Sequence, residues 1–253
     1  MKRVCVVTDN EFLCNELEMI RKQKCPEYYF DYFYSFNNRS PWHPTSYQIK
    51  PICLKNQDDS FFSNYDLFLS IHCKQIFPEI MVNNYRCINV HPGLNPNNRG
   101  WFPQVFSIIN KKPVGVTIHE MDNLLDHGPI IYSQRVEINN HETSEDVYKK
   151  ITQTEIVLLK ENLKDLVDGN YHKTPMSTEG NINYKSDFID LCKLDLNATM
   201  KVGEVIDILR ATSFGGYDNA FFTDSQGRKI YVSISLKLDD SKKSSDSSDS
   251  VKG

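Results

Sequence analysis

The stretch from Cys87 to Ile131 constrains the fold more than any other part of the chain. It reads CINVHPGLNPNNRGWFPQVFSIINKKPVGVTIHEMDNLLDHGPII. A short apolar run, Cys87 to Val90, is followed by Pro and Gly and has the make-up of a buried strand. His91 falls where that strand ends. Asn89, two residues earlier, points to the same side by strand alternation. A second apolar run, Val114 to Ile118, leads into a loop carrying Asp122, Asp126 and Gly128. An imidazole, an amide and carboxylates leaving neighbouring strand ends can meet at one edge of a sheet, where open α/β folds bind their ligands. A lone histidine after a strand is more often structural than catalytic. The Gly and Pro of the first half of the segment exceed what a plain strand–helix–strand turn needs, which tips the reading toward a binding loop.

The flanking sequence alternates strands and helices. Val4 to Thr8 reads as a first buried strand, Asp9 and Asn10 as turn and cap, and Leu13, Leu17 and Ile20 as one face of a helix reaching about Lys22. Tyr28 to Phe36 reads as a second strand. Ile49 to Leu54 reads as a short third one that Pro51 places at an edge. Ser40 to Ser46 is Pro-rich and irregular, and Gln57 to Ser60 reads as a polar turn. Leu67 to Ile71 is a buried strand whose loop, His72 to Pro78, lies at the same edge as His91. His72 is read as a structural strand-end residue. Pro103 to Asn110 reads as a short helix, and Ile130 to Ile138 as a strand, with an antiparallel edge left open. Thr143 caps a long helix that runs to Val167 before Gly169, with Val147, Ile151 and Leu158 on one face and Lys149 and Lys150 in solvent. The expected fold class is α/β, a doubly wound, mostly parallel sheet. There is no G-x-G-x-x-G after the first strand and no Walker loop.

Composition narrows the functional classes. The net charge of −4 gives no general electrostatic case for nucleic acid. Seven cysteines stand singly with no CxxC, so neither a metal knuckle nor a disulfide framework is expected, and a reducing compartment is. The opening MKRVCVVTDN has too short an apolar run for a signal peptide, and no later stretch reaches spanning length. A cytoplasmic protein without membrane contact is expected. The sequons at Asn38 and Asn197 are read as chance matches.

Asn89-Val90-His91-Pro92, then Gly115-Val116-Thr117-Ile118-His119, then Leu125-Asp126-x-Gly128-Pro129-Ile130-Ile131 resembles the folate-dependent formyltransferases. The loop from Gly93 to Gln104 is more similar to the sugar-nucleotide branch, particularly enzymes acting on dTDP-4-amino-4,6-dideoxyglucose. The resemblance is strong over about the first two-thirds of the chain. It implies a Rossmann-like formyltransferase domain over 1–170 and a small C-terminal helix and β-hairpin module at 186–238, while composition marks a linker at 171–185 and a disordered tail at 239–253. In that module Val202, Val205, Ile206 and Leu209 form an apolar helical stripe, and Asp224 to Gly227 turns a hairpin. A hairpin alone is marginal, so it should pack on the main domain or on a second subunit. The tail lacks the apolar residues a core needs.

The resemblance implies formyl transfer from N10-formyltetrahydrofolate, as co-substrate and without a metal, to a nucleotide-linked amino sugar, for surface-glycan (O-antigen) synthesis, by a homodimer. It assigns Asn89, His91 and Asp126 to catalysis. Asn89 can donate to a developing oxyanion, His91 can act as general base, and Asp126 can orient it. Burial of Asp126 against Leu124 and Leu125 could raise its pKa, an effect that only the structure decides. Gln75, Ile76 and Phe77, largely through backbone groups, with Asp122 and Asp126, fall to the folate. Arg99 suits a diphosphate, Trp101 stacking, and Lys74, Asn97 and Gln104 sugar hydroxyls or phosphate. His119 and His127 compete for the imidazole role, and Asp122 is a rival carboxylate. A metal set of His91, His119 and Asp126 ranks low. The alternatives are a methionyl-tRNA formyltransferase, disfavoured by net acidity, and a non-catalytic folate- or nucleotide-binding module.

Overall fold

A computed structural model describes residues 1–38, 42 and 47–239. The irregular stretch from Ser40 to Ser46, apart from Trp42, and the tail from 240 onward lie outside the described residues. The elements run β1 (Arg3–Thr8), α1 (Glu11–Lys24), β2 (Tyr29–Ser35), β3 (Ile49–Ile52), α2 (Asp59–Phe62), β4 (Leu67–Ile71), α3 (Glu79–Asn84), β5 (Cys87–His91), β6 (Arg99–Gly100), α4 (Pro103–Asn110), β7 (Val114–Glu120), β8 (Ile130–Val136), α5 (Ser144–Asp168), β9 (Ile182–Asn183), α6 (Lys185–Leu191), α7 (Val202–Thr212), β10 (Phe221–Thr223) and β11 (Lys229–Tyr231).

Seven strands make one sheet in the order β3-β2-β1-β4-β5-β7-β8. The first five are mutually parallel, and β7 and β8 are each antiparallel to their neighbour. Strand alternation buries both faces. In β1, Val4 and Val6 join a core with α1, α4 and α5, while Cys5 and Val7 join a smaller one with Phe62, Phe68 and Met81. Pro51 sits on the edge strand β3, where its missing N–H costs no ladder bond. The Gln57 to Ser60 turn continues into one helical turn, α2, because the Asp58 side chain caps Ser60 N–H.

The long helix α5 starts from a reciprocal capping box between Thr143 and Asp146 and stops at Gly169 in the left-handed region. Its buried face carries Val147, Ile151, Leu158, Leu159, Leu163, Leu166 and Val167. Each such side chain contributes roughly 1.5–3 kcal/mol on burial. Lys149 and Lys150 sit on the solvent side, paired with Glu145 and Glu142.

The 171–185 stretch is not a free linker: Ile130 bridges Thr174, and β9 pairs with β6 inside the loop that follows β5. The α7 stripe is apolar but not covered: Val202 is 76% exposed, with Val205 and Ile206 also exposed, while Arg210 and Ala211 face inward. All seven cysteines are free thiols, and Cys5, Cys14, Cys25, Cys87 and Cys192 are buried. No helix among the described residues is long and apolar enough to cross a membrane.

Candidate active site

The site forms on the face of the sheet opposite the larger core. Antiparallel register sets Asn89 beside His119 and His91 beside Thr117, so these four side chains share one face of β5 and β7. Because β7 runs against β5, its trailing loop leaves at the wrong end to meet His91 directly, and the expectation of neighbouring strand ends is corrected here. The loop instead folds back over the sheet. Gly128 allows the return, since a Cβ there would lie 1.9 Å from the Glu120 carbonyl oxygen.

Folding back delivers Asp126 to the pair on β5. Asn89 Nδ2 donates to Asp126 Oδ1 at 2.9 Å, and His91 Nδ1 lies 3.5 Å from Asp126 Oδ2. Gly100 N–H donates to the same Oδ2 at 3.0 Å, and Asn95 Nδ2 donates to the Asp126 backbone carbonyl at 2.8 Å. Asp126 itself adopts φ 46°. His119 is 1% exposed; its Nδ1 faces the Glu120 carbonyl at 2.8 Å, which makes Nδ1 the protonated nitrogen. His119 Nε2 therefore accepts from Asn89 Nδ2 at 3.4 Å.

Electrostatics divide the pair. Burial pushes the His91 imidazole down to about 4, against the opposing pull of Asp126, so the ring is neutral at pH 7. Burial also pushes Asp126 upward, but in the acid range, where His91 is charged, that imidazolium, the neighbouring His119 and the Gly100 N–H outweigh it and hold the carboxyl well below the usual carboxylate range. The net shift is downward, opposite to what burial alone would give. Leu124 and Leu125 are 58% and 42% exposed and do not wall the carboxylate in. With His91 uncharged at neutral pH, the hydrogen bonds from Asn89 and Gly100 keep Asp126 ionised. A carboxylate facing His91 Nδ1 makes that nitrogen the donor and leaves Nε2 as the base. His91 Nε2 is buried and has no hydrogen-bond partner. Gly93 leaves room for the ring: a Cβ there would lie 2.3 Å from Nε2.

The formyl transferase family matches residues 54–163, and the N-formyltransferase dimerization C-terminal domain matches residues 187–238. A Mycobacterium tuberculosis (strain ATCC 25618 / H37Rv) protein named dTDP-4-amino-4,6-dideoxyglucose formyltransferase is 48% identical over 173 residues, 68% of this chain and 74% of that protein. The chain belongs to the formyltransferase family. A sugar N-formyltransferase from Shewanella sp FDAARGOS_354 superposes with TM-score 0.90 at 45% identity, covering 94% of this chain and 99% of that one. A 4-N formyltransferase from Francisella tularensis gives TM-score 0.87 at 41% identity, covering 94% and 98%.

The formyltransferase places its other candidate residues variously. Arg99 is 3% exposed; its guanidinium donates to the Leu125 carbonyl at 3.3 Å and lies 3.7 Å from Glu179, so it clamps the returning loop. Phe77 belongs to the smaller core, and the Gln75 amide is spent on backbone groups of Ile52 and Leu54. Only Ile76, 87% exposed, offers an open apolar side chain from that loop. Lys74 is exposed, and its backbone N–H donates to Asp9. Asn97 is half-buried, Gln104 is 6% exposed at the start of α4, and half-buried Trp101 has Lys185 Nζ over its ring at 5.5 Å. Asp122 stands outside the cluster, bound to His127 Nδ1 at 2.6 Å, so His127 turns away from His91. His72 ends β4 as a structural residue, with Nε2 2.9 Å from buried Glu155. Sequence reasoning missed Asn95, Asn98 and Gly100. The one available signal was their place in the Gly- and Asn-rich loop after β5.

Proposed function

We propose that this formyltransferase moves the formyl group of N10-formyltetrahydrofolate onto the amine of a nucleotide-linked amino sugar, with dTDP-4-amino-4,6-dideoxyglucose as the first choice. The observation that carries the reading is the convergence of Asn89, His91 and Asp126 in a chain 48% identical to a protein of that name.

The roles follow from the atoms. The sugar amine adds to the formyl carbon, a C–N bond forms, and the carbonyl oxygen gains negative charge. Asn89 donates an N–H to that oxygen; the weaker of its two bonds, to His119, is the one to yield. His91 Nε2 takes the proton released by the attacking nitrogen, and Asp126 stabilises the imidazolium that results. The imidazolium then returns that proton to the departing nitrogen as the old C–N bond breaks, which restores neutral His91 and releases tetrahydrofolate. Exposed Ile76 and the loop backbone beside it suit a flat heteroaromatic ring. With Arg99 turned inward, Lys185 and Trp101 are the better candidates for the nucleotide side.

The functional unit is a homodimer through the C-terminal module. Support comes from the dimerization-domain match and from exposed Val202, Val205, Ile206, Ile230 and Tyr231. The test is incubation with formyl-folate and a panel of nucleotide amino sugars, read by mass for one added formyl group. A gain on the dTDP-4-amino sugar is expected. A gain confined to a GDP-linked or a 3-amino sugar overturns the choice of acceptor, and no gain on any member overturns the reading.

A further inference from the structure

We propose that the segment 178–184 is a working part of the active site, and that Asn98 is the positioning residue through which it sets Asp126. The proposal rests on reading Asp126 as part of the formyl-transfer cluster. The segment lies between the two regions that the family domains match, 54–163 and 187–238.

Asn98 is fully buried and sits at φ 51°, a conformation asparagine tolerates better than most residues. Its amide is saturated. Oδ1 accepts from Asn110 at 2.5 Å, Asn181 at 2.8 Å and Asn183 at 3.2 Å. Nδ2 donates to Ser107 Oγ at 2.8 Å and to Asn110 Oδ1 at 3.3 Å. Its backbone N–H donates to Asn181 Oδ1 at 3.1 Å, an oxygen that also takes Lys112 Nζ at 2.7 Å. One side chain thus joins the loop after β5, helix α4 and the segment.

The register carries this to the carboxylate. Arg99 N–H donates to Asn181 O at 3.0 Å and Trp101 N–H to Asn183 O at 2.9 Å, so the segment holds the residues on both sides of Gly100. The Gly100 N–H between them points the other way, to Asp126 Oδ2 at 3.0 Å. A strand pair of two residues has little stability of its own. The buried amide network holds it in register, and with it the donor that steers Asp126 toward His91.

The experiment uses the full chain carrying Asn98→Gly, which keeps the backbone conformation accessible, and separately Asn181→Ala, which leaves the β6–β9 carbonyls in place. Two readouts are taken on the folded protein: the Gly100 amide proton by NMR with 15N-glycine, and steady-state kinetics. Each variant is expected to move the Gly100 proton upfield and to lower kcat about 10–100-fold, the loss that goes with one hydrogen bond to a charged group. KM for the nucleotide sugar should stay within about twofold, since no ground-state contact is removed. An unmoved Gly100 proton in both variants, or a moved one with kcat intact, overturns the proposal. If the native chain formylates no nucleotide sugar, the functional reading fails, and the Gly100 shift alone still decides whether the segment sets the Asp126 contact.

Discussion

His91 is held in the proton-accepting form because burial disfavours its cation, which takes the ring down to about 4. By NMR its ring carbons should stay in the neutral form below pH 5; a midpoint near 6.5 would show a solvated imidazole. The same shift links to stability. Between pH 6.5 and 4 the unfolded chain binds a proton that the folded one refuses, so stability present at neutral pH is lost as pH falls through that window, by up to about 3 kcal/mol from this residue. Asn89→Ala should cost about 10²–10³ in kcat if the amide meets the developing charge, and Asp126→Asn should leave a folded, inactive protein. Asn89 and His91 were legible because period-two alternation needs only the strand. The charge of Asp126 was not. It depends on the imidazoles of His91 and His119 and on the Gly100 N–H, 26 positions upstream, which only the fold brings around it.

Helix α5 shows how well an element announces itself when its caps are local. Thr143, Asp146 and Gly169 mark both ends within the sequence that folds. Thr143→Ala removes the side-chain acceptor and should lower stability by about 1 kcal/mol, seen as a lower denaturant midpoint at unchanged slope. The reversal of β7 left no such mark. An apolar run of five reads the same in either direction, and only the crossover through α4 decides its sense. The two-residue strands β6 and β9 carry no periodicity at all, so a segment that grips the site looked like a connector. In the loop after β5 the sequence offers Asn97, Arg99, Trp101 and Gln104 as ligand-facing, yet Arg99 turns inward, as does its neighbour Asn98. Nothing in one sequence tells a buried arginine from an exposed one.

At the scale of the molecule, the sheet is closed on both faces while α7 and the hairpin leave apolar side chains in water. Val205→Glu combined with Ile206→Glu should give a monomer by sedimentation at concentrations where the native chain is a dimer. A native chain that is already monomeric would remove the dimer from the functional reading. The thiols carry one more consequence. Burial pushes Cys192 up to about 11 and Cys5 higher still, so neither is reactive until something opens. Cys5 lies on β1, an interior strand of the sheet, and Cys192 at the root of the C-terminal module. Alkylation timed by mass spectrometry therefore distinguishes peeling of the module from collapse of the whole: early capture of Cys192 means the two halves come apart separately, and simultaneous capture means they melt as one.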